Sequence, residues 1–211
     1  MRREITGFSN PLVKEVRSLR EKKFRKRAGK FLAEGLRIMT EAREAGFLPE
    51  MIFRVADRDV HALEIALESA VLAAGGDVIE TSAEIMEKLS GKANIQTVIG
   101  VYADMAASLS DIDRNAAQIW LVAQAMRDPG NLGTMLRTGD AVGAGGLILI
   151  DDCTDPFSVE AVRASMGAVF TQKIVQCRWD EFTTWLREGE GQLVGTSLNT
   201  ETDYQAARYT A

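Results

Sequence analysis

Apolar residues occur along the chain both in short runs and at helical spacing, and the two patterns alternate. Strands of the first half are predicted at 51–55, 77–80 and 96–103. Helices are predicted after the capping sequence Ser9-Asn10-Pro11, before Gly46, across 63–71 and after Ser82. Strands and helices that alternate in this way predict an α/β domain whose sheet is partly covered on both faces.

The second half repeats the alternation with longer uninterrupted apolar runs. Its strands are predicted at 119–124, 146–151, 168–176 and 192–197, with helices around 132–142, 156–166 and 180–188. Strands that are apolar throughout favour a parallel sheet buried on both faces. The sequence therefore predicts two α/β domains, the second with a parallel sheet.

A polar segment rich in small residues separates the halves at 104–116 and has no regular periodicity. We interpret it as a linker between a domain at 1–103 and a domain at 117–211. Each would have about 100 residues, an ordinary domain size.

Composition narrows the function classes. Hydrophobic residues make up 46% of the chain and charged residues 26%, which is typical of a globular protein. We expect no membrane span and no secretory signal, because no apolar run is long enough. His61 is the only histidine, and Cys153 and Cys177 are the only cysteines. These residue counts exclude a serine–histidine triad. They predict that the protein has neither a metal site nor a disulfide and that it is located in the cytoplasm.

Positive charge is concentrated near the N-terminus although the net charge is −5. Between Arg20 and Lys30 the chain has seven basic residues against Glu21 alone. Such a run is either a solvated face or a phosphate-contacting surface, and Phe24 within it favours contact with RNA. The predicted RNA-binding residues are Lys22, Lys23, Arg25, Lys26, Arg27 and Lys30.

The turn after strand 119–124 is the strongest candidate for a ligand site. Residues 125–133 contain a Pro-Gly turn that opens a helix, whose free backbone N–H groups favour an anionic or polar ligand. Neither of the usual phosphate-loop patterns is present. From the residues alone, Asn131 is a helix cap or a ligand contact, and Arg137 is a surface arginine or a functional one.

Three segments together resemble the SpoU (TrmH) family of RNA methyltransferases, which belongs to the SPOUT class. The stretch DPGNLGTMLRTGDAVGAGGLILID resembles the first family motif, with Asn131, Gly133 and Arg137 at its positions. Residues 163–168 resemble the small-residue segment that follows the second strand of the family. The N-terminal segment 9–37 and the strand NIQTVIGVY resemble an L30e-like substrate-binding domain.

The resemblance implies transfer of a methyl group from S-adenosylmethionine to a ribose 2′-hydroxyl of structured RNA, ribosomal rather than transfer RNA. It also implies a knotted α/β fold and a homodimer. Arg137 takes the catalytic role as base or as clamp, and Asn131 orients the ribose or Arg137. An arginine is an awkward base because it stays protonated.

The chain departs from the family pattern after strand 192–197. The second and third family motifs, which complete the knot and most of the cofactor site, have no match in this sequence. We assign Thr196, Ser197 and Leu198 as the cofactor contacts that remain, and we expect an incomplete knot and poor cofactor binding. The alternatives are a non-catalytic RNA-binding scaffold, an inactive fragment of the methyltransferase, or a generic nucleotide-binding α/β enzyme.

Overall fold

Two separate β-sheets organise the chain in the computed structural model, which describes residues 1–91, 96–197, 199 and 202–209. The strands are β1 (Arg2–Ile5), β2 (Lys30–Glu34), β3 (Met51–Val55), β4 (Asp77–Thr81), β5 (Val98–Ala103), β6 (Leu121–Gln124), β7 (Gly146–Ile150) and β8 (Lys173–Cys177). The helices are α1 (Pro11–Ser18), α2 (Lys22–Ala28), α3 (Leu36–Glu44), α4 (Ala62–Ala73), α5 (Ala83–Ser90), α6 (Pro129–Ala141), α7 (Val159–Ser165) and α8 (Trp179–Arg187). Two short 3-10 helices lie between the sheets, at Leu109–Asp111 and Arg114–Ala116.

The first sheet has the order β1-β4-β3-β5-β2 and is mixed. Strand β4 pairs in parallel with β1 and β3, whereas β5 runs antiparallel to β2 and β3. In the centre, Ile52 lies opposite Val78 on one side and Gly100 on the other. A side chain at Gly100 would place its Cβ 2.8 Å from the side chains of Met39 and Tyr102. Gly100 therefore lets α3 pack closely on the sheet.

The second sheet is parallel, with the order β6-β7-β8. Along β7, Leu147 and Leu149 belong to the core cluster that includes α6 and α7, whereas Ile148 and Ile150 pack with Phe182 of α8. Successive residues of a strand point to opposite faces, so the apolar run buries both faces of the sheet. The predicted α/β fold class with a parallel second sheet is confirmed.

Two predicted strands differ from the structure. Residues 168–172 form turns, and β8 begins only at Lys173, because Val169 and Phe170 are buried in the core cluster shared with the first sheet. Residues 192–197 have no secondary structure and are exposed. A strand needs a neighbour for its backbone N–H and C=O groups, and no strand within the described ranges pairs with this segment.

An aromatic cluster joins the two halves of the chain. The ring of Phe31 in β2 lies 5.0 Å from that of Phe157, and the ring of Tyr102 in β5 lies 4.8 Å from that of Phe170. Ion pairs flank the cluster: Arg25 of α2 binds Asp155 at 2.7 Å, and Arg163 of α7 binds Glu34 of β2. The contact between the halves is therefore apolar at its centre and ionic at its margin.

Gly133 determines how closely α6 approaches α7. A Cβ added there would lie 2.4 Å from Ala164 Cβ and 2.7 Å from the backbone of Ala164 and Ser165. Backbone atoms cannot move aside easily, so we expect Gly133→Ala to lower the free energy of unfolding by about 1–3 kcal/mol, despite the better helix propensity of alanine. Urea denaturation followed by circular dichroism measures this. Thr138→Ala, an exposed substitution on the same helix, is the control and should leave the midpoint equal or slightly higher.

Candidate functional site

Helix α6 begins with a proline and a carboxylate cap. Asp128 Oδ1 accepts a hydrogen bond from the Asn131 backbone N–H at 2.6 Å, and Pro129 occupies the first helical position. The cap is therefore Asp128, and the interpretation of Asn131 as the helix cap is wrong. Asn131 lies instead in the first turn of the helix, with its side chain exposed.

Arg137 lines a polar cleft of about 340 Å³. It follows Gly133 by one helical turn and so lies on the side of α6 that contacts α7. The cleft is formed by Arg37, Glu41, Arg137, Asp140, Ser165, Met166, Gly167, Ala168 and Thr171. Asn131 is not among these residues. It precedes Gly133 by two positions, which is a rotation of about 200° around the helix axis, so it faces away from α7. The structure thus brings Arg137 to the small-residue segment but leaves Asn131 elsewhere.

The small-residue segment forms the floor of the cleft and is shaped by two left-handed residues. Met166, with a φ of 53°, ends α7, and Gly167 follows with a φ of 107°. A Cβ at Gly167 would lie 2.8 Å from Glu41 Cβ, so glycine lets α3 lie against the end of α7. Ser165 Oγ donates to the Val162 carbonyl at 2.7 Å and is buried. The segment therefore contributes shape and backbone groups to the cleft.

The cleft combines two arginines with two carboxylates. Asp140 Oδ1 accepts a hydrogen bond from Thr171 Oγ1 at 2.6 Å. Across the described part of the chain, neither Arg37 nor Arg137 has a carboxylate within ion-pair distance. The two guanidinium groups are thus free to bind an anion that enters the cleft.

Sequence reasoning missed Arg37 and Glu41. Both come from α3 and lie one helical turn apart, and Arg37 precedes Arg137 by one hundred positions along the chain. No local motif singles them out, because their place in the cleft results from the packing of α3 against the end of α7.

The carboxyl ends of β6 and β7 are tied together by their own side chains. Gln124 Nε2 donates to Asp151 Oδ2 at 2.9 Å, and Cys153 Sγ accepts from the Met126 backbone N–H at 3.3 Å. Burial, with smaller contributions from nearby carboxylates, raises the pKa of the Cys177 thiol to about 11. That thiol stays protonated at neutral pH, which suits a packing role better than a nucleophilic one.

Helix α2 has an exposed basic face and one buried arginine. Lys22, Lys23, Lys26 and Arg27 are exposed, whereas Lys30 in β2 is partly covered and pairs with Glu50 at 2.8 Å.

Arg25 differs from the other basic residues of α2 because it is only 6% exposed. Its guanidinium donates to Asp155 and to the backbone carbonyls of Leu19 and Arg20. Arg25 therefore holds the two halves together, and its assignment as an RNA contact is corrected on this ground.

The basic face of α2 adjoins the loop that follows β7. A hydrogen bond from Arg127 lowers the pKa of Asp152, and the positive charge of Lys22 adds a smaller effect in the same direction. Arg25 of the same helix pairs with Asp155, so α2 lies against the C-terminal half. Basic residues contributed by the N-terminal half thus lie beside the carboxyl edge of the second sheet.

Two of the three residues assigned to cofactor binding, Thr196 and Ser197, are not enclosed. Thr196 and Ser197 are exposed in the stretch without secondary structure, and Leu198 lies outside the described residues. A second cavity of about 380 Å³ lies on the α8 side of the second sheet and is lined by Trp120, Phe182 and Trp185 among others, but not by Arg137.

Two further findings concern metals and membranes. Within the described residues, no group of three or more histidine, cysteine or acidic side chains is arranged to hold a metal ion. No described helix combines the length and apolar character needed to cross a bilayer.

Comparison with known proteins decides the family. Residues 118–211 match the model of the SpoU rRNA Methylase family, and residues 10–100 match the MRM3-like substrate binding domain. The AdoMet-bound rRNA methyltransferase from Sinorhizobium meliloti superposes with a TM-score of 0.90 at 34% identity, covering 100% of this chain and 78% of that one. The chain belongs to the SpoU family. The resemblance drawn from the three motifs is confirmed.

Other relatives agree with this family but differ in how much of them the chain covers. A Bacillus subtilis 23S rRNA (guanosine(2553)-2′-O)-methyltransferase is 26% identical over 96% of the chain and 77% of its own length. An uncharacterized tRNA/rRNA methyltransferase from Synechocystis is 31% identical over 78% of this chain, which spans 58% of that protein. Human mitochondrial rRNA methyltransferase 3 is 28% identical over 80% of this chain, which spans 40% of that protein. The chain thus spans about half the length of the Synechocystis and human relatives.

Proposed function

We propose that this SpoU chain belongs to an enzyme that methylates a ribose 2′-hydroxyl in ribosomal RNA, with S-adenosylmethionine as the methyl donor. The observation that carries the proposal is the position of Arg137, which lies at the wall of a cleft built from both halves of the chain. Two relatives of the chain, from Bacillus subtilis and Sinorhizobium meliloti, are named as rRNA methyltransferases. The Bacillus subtilis relative is named as a 2′-O-methyltransferase.

The chemistry of arginine favours a clamp over a base. A guanidinium remains protonated in proteins, so Arg137 is poorly suited to remove the 2′-hydroxyl proton. It can instead donate hydrogen bonds to the 2′-oxygen, where negative charge develops as the hydroxyl proton passes to solvent water during methyl transfer. The sulfonium centre of S-adenosylmethionine, when bound, supplies the methyl group.

The cofactor contacts assigned from the sequence stay untested. Thr196 and Ser197 are exposed and lie outside any helix or strand. Their role in cofactor binding, together with that of Leu198, stays a prediction. The ribose-orienting role of Asn131, the knot, the homodimer and the cytoplasmic location also stay predictions.

We also propose that the chain divides into an RNA-binding domain at 1–103, a linker at 104–116 and a methyltransferase domain at 117–211. Two observations support this division: the two sheets share no strand, and two 3-10 helices occupy the segment between them. The exposed lysines of α2 and Arg27 would contact RNA phosphates.

The direct test is methyl transfer by the whole protein to deproteinised bacterial 23S ribosomal RNA. With tritium-labelled S-adenosylmethionine, we expect the label to enter the RNA and to appear in alkali-resistant dinucleotides, since alkaline cleavage requires a free 2′-hydroxyl. Transfer RNA is the control and should take up little label. Label recovered in mononucleotides would place the methyl group on a base and contradict the proposal. RNA binding without any incorporation would favour the RNA-binding scaffold instead.

A further inference from the structure

Arg37 is the basic residue that the N-terminal half contributes to the cleft of Arg137. It lies at the second position of α3, is exposed, and follows the buried Glu34 by three residues. Glu34 is bound by both Arg20 and Arg163, and Ile38 beside Arg37 is buried. The backbone that carries Arg37 is therefore held firmly against the C-terminal half, so the two arginines face the same cleft in a fixed relation.

The position of Arg37 on α3 is unfavourable for the helix itself. A cation in the first turn opposes the positive end of the helix dipole. The N-cap is Gly35, which offers no side chain to the first N–H groups. Glu41 follows Arg37 by four residues, and a cation that precedes an anion is the weaker order for an ion pair within a helix. The two side chains are also not within ion-pair distance of each other. Helix stability therefore does not account for an arginine here, whereas an anion in the cleft would satisfy both the guanidinium and the helix terminus.

We infer that Arg37 binds a backbone phosphate of the RNA beside the ribose on which Arg137 acts. This rests on the proposed function. A guanidinium offers paired N–H groups that match two phosphate oxygens. The cleft, at about 340 Å³, is within the size range of small-ligand sites. Among the described residues Arg137 has no carboxylate within ion-pair distance, so it is available to the ribose while Arg37 holds the phosphate.

The test measures binding of deproteinised 23S ribosomal RNA to the whole protein at several salt concentrations. Arg37→Ala should weaken binding about tenfold and reduce the slope of log affinity against log salt by about 0.7–0.9, as expected for one lost phosphate contact. Arg37→Lys should keep the salt slope and lose only part of the affinity, because a lysine retains the charge without the paired donors. In methyl transfer, Arg37→Ala should raise KM by a similar factor and leave kcat almost unchanged.

Arg187→Ala is the matched control. Arg187 is exposed at the end of α8, on the other face of the second sheet, so the substitution removes one charge far from the cleft. Equal losses of affinity and slope for Arg37→Ala and Arg187→Ala would overturn the inference and leave the proposed function standing. If the wild-type protein transfers no methyl group while Arg37→Ala still shows the larger losses, the proposed function fails and the phosphate contact stands.

Discussion

Replacing Arg137 by alanine will lower the kcat of methyl transfer by about two to three orders of magnitude, the usual effect of removing one donor to a developing oxyanion. We expect the affinity for 23S ribosomal RNA to change little, because the phosphate contacts proposed for the basic face of α2 and for Arg37 remain. Single-turnover methyl transfer at saturating RNA measures the first effect, and equilibrium RNA binding measures the second. Because Arg137 is exposed on α6, we expect the alanine variant to fold normally, so that a lower kcat reflects the reaction itself.

Two further variants make this result specific. Thr138→Ala changes the next exposed position of the same helix and should retain full turnover. Arg137→Lys keeps the positive charge but not the planar set of donors, so it should recover only part of the rate. Unchanged turnover in Arg137→Ala would remove this arginine from the mechanism.

Replacing Glu34 by alanine will destabilise the whole protein by about 3 kcal/mol, within the range for breaking a buried ion pair by removing one partner. The Glu34 side chain is fully buried between Arg20 and Arg163. Both arginines are partly exposed and can recover some hydration, which places the effect at the lower end of that range. The midpoint of urea denaturation, combined with the slope of the transition, gives the free energy.

The control for Glu34 is Glu50→Ala. Glu50 pairs with Lys30 at 2.8 Å but is 46% exposed, so its loss should cost about 1 kcal/mol or less. Glu34→Gln keeps the shape and removes the charge, and we expect an intermediate loss. Equal stabilities of the Glu34→Ala and Glu50→Ala variants would show that the buried carboxylate does not join the halves.

Local signals predicted most of the elements. Asn10 caps α1 by accepting a hydrogen bond from the Leu12 N–H at 2.9 Å, and Ser82 caps α5, as their positions before helical patterns indicated. Strand β1 was missed because it is a charged edge strand with only Ile5 buried. Helix α2 was missed because charge obscured its helical pattern. The cap of α6 could have been found, since Pro129 at a first helical position indicates Asp128 before it.

The site was only partly predictable for a different reason. The motif gave Arg137 because spacing within one helix is a local property. The burial of Arg25 depends on Asp155, which is 130 positions away, and the place of Arg37 depends on how α3 meets α7. Charge in a sequence shows where cations are, but only tertiary contacts show which of them are already neutralised by carboxylates.

The contact between the two halves of the chain has a consequence for the proposed binding of RNA. Aromatic packing and the Arg25–Asp155 pair join the two halves, so the folded structure sets the separation between the basic helix α2 and Arg137. If both contact RNA as proposed, the bends and bulges of the RNA must match that separation, so selection among RNAs would follow their shape more than their base sequence.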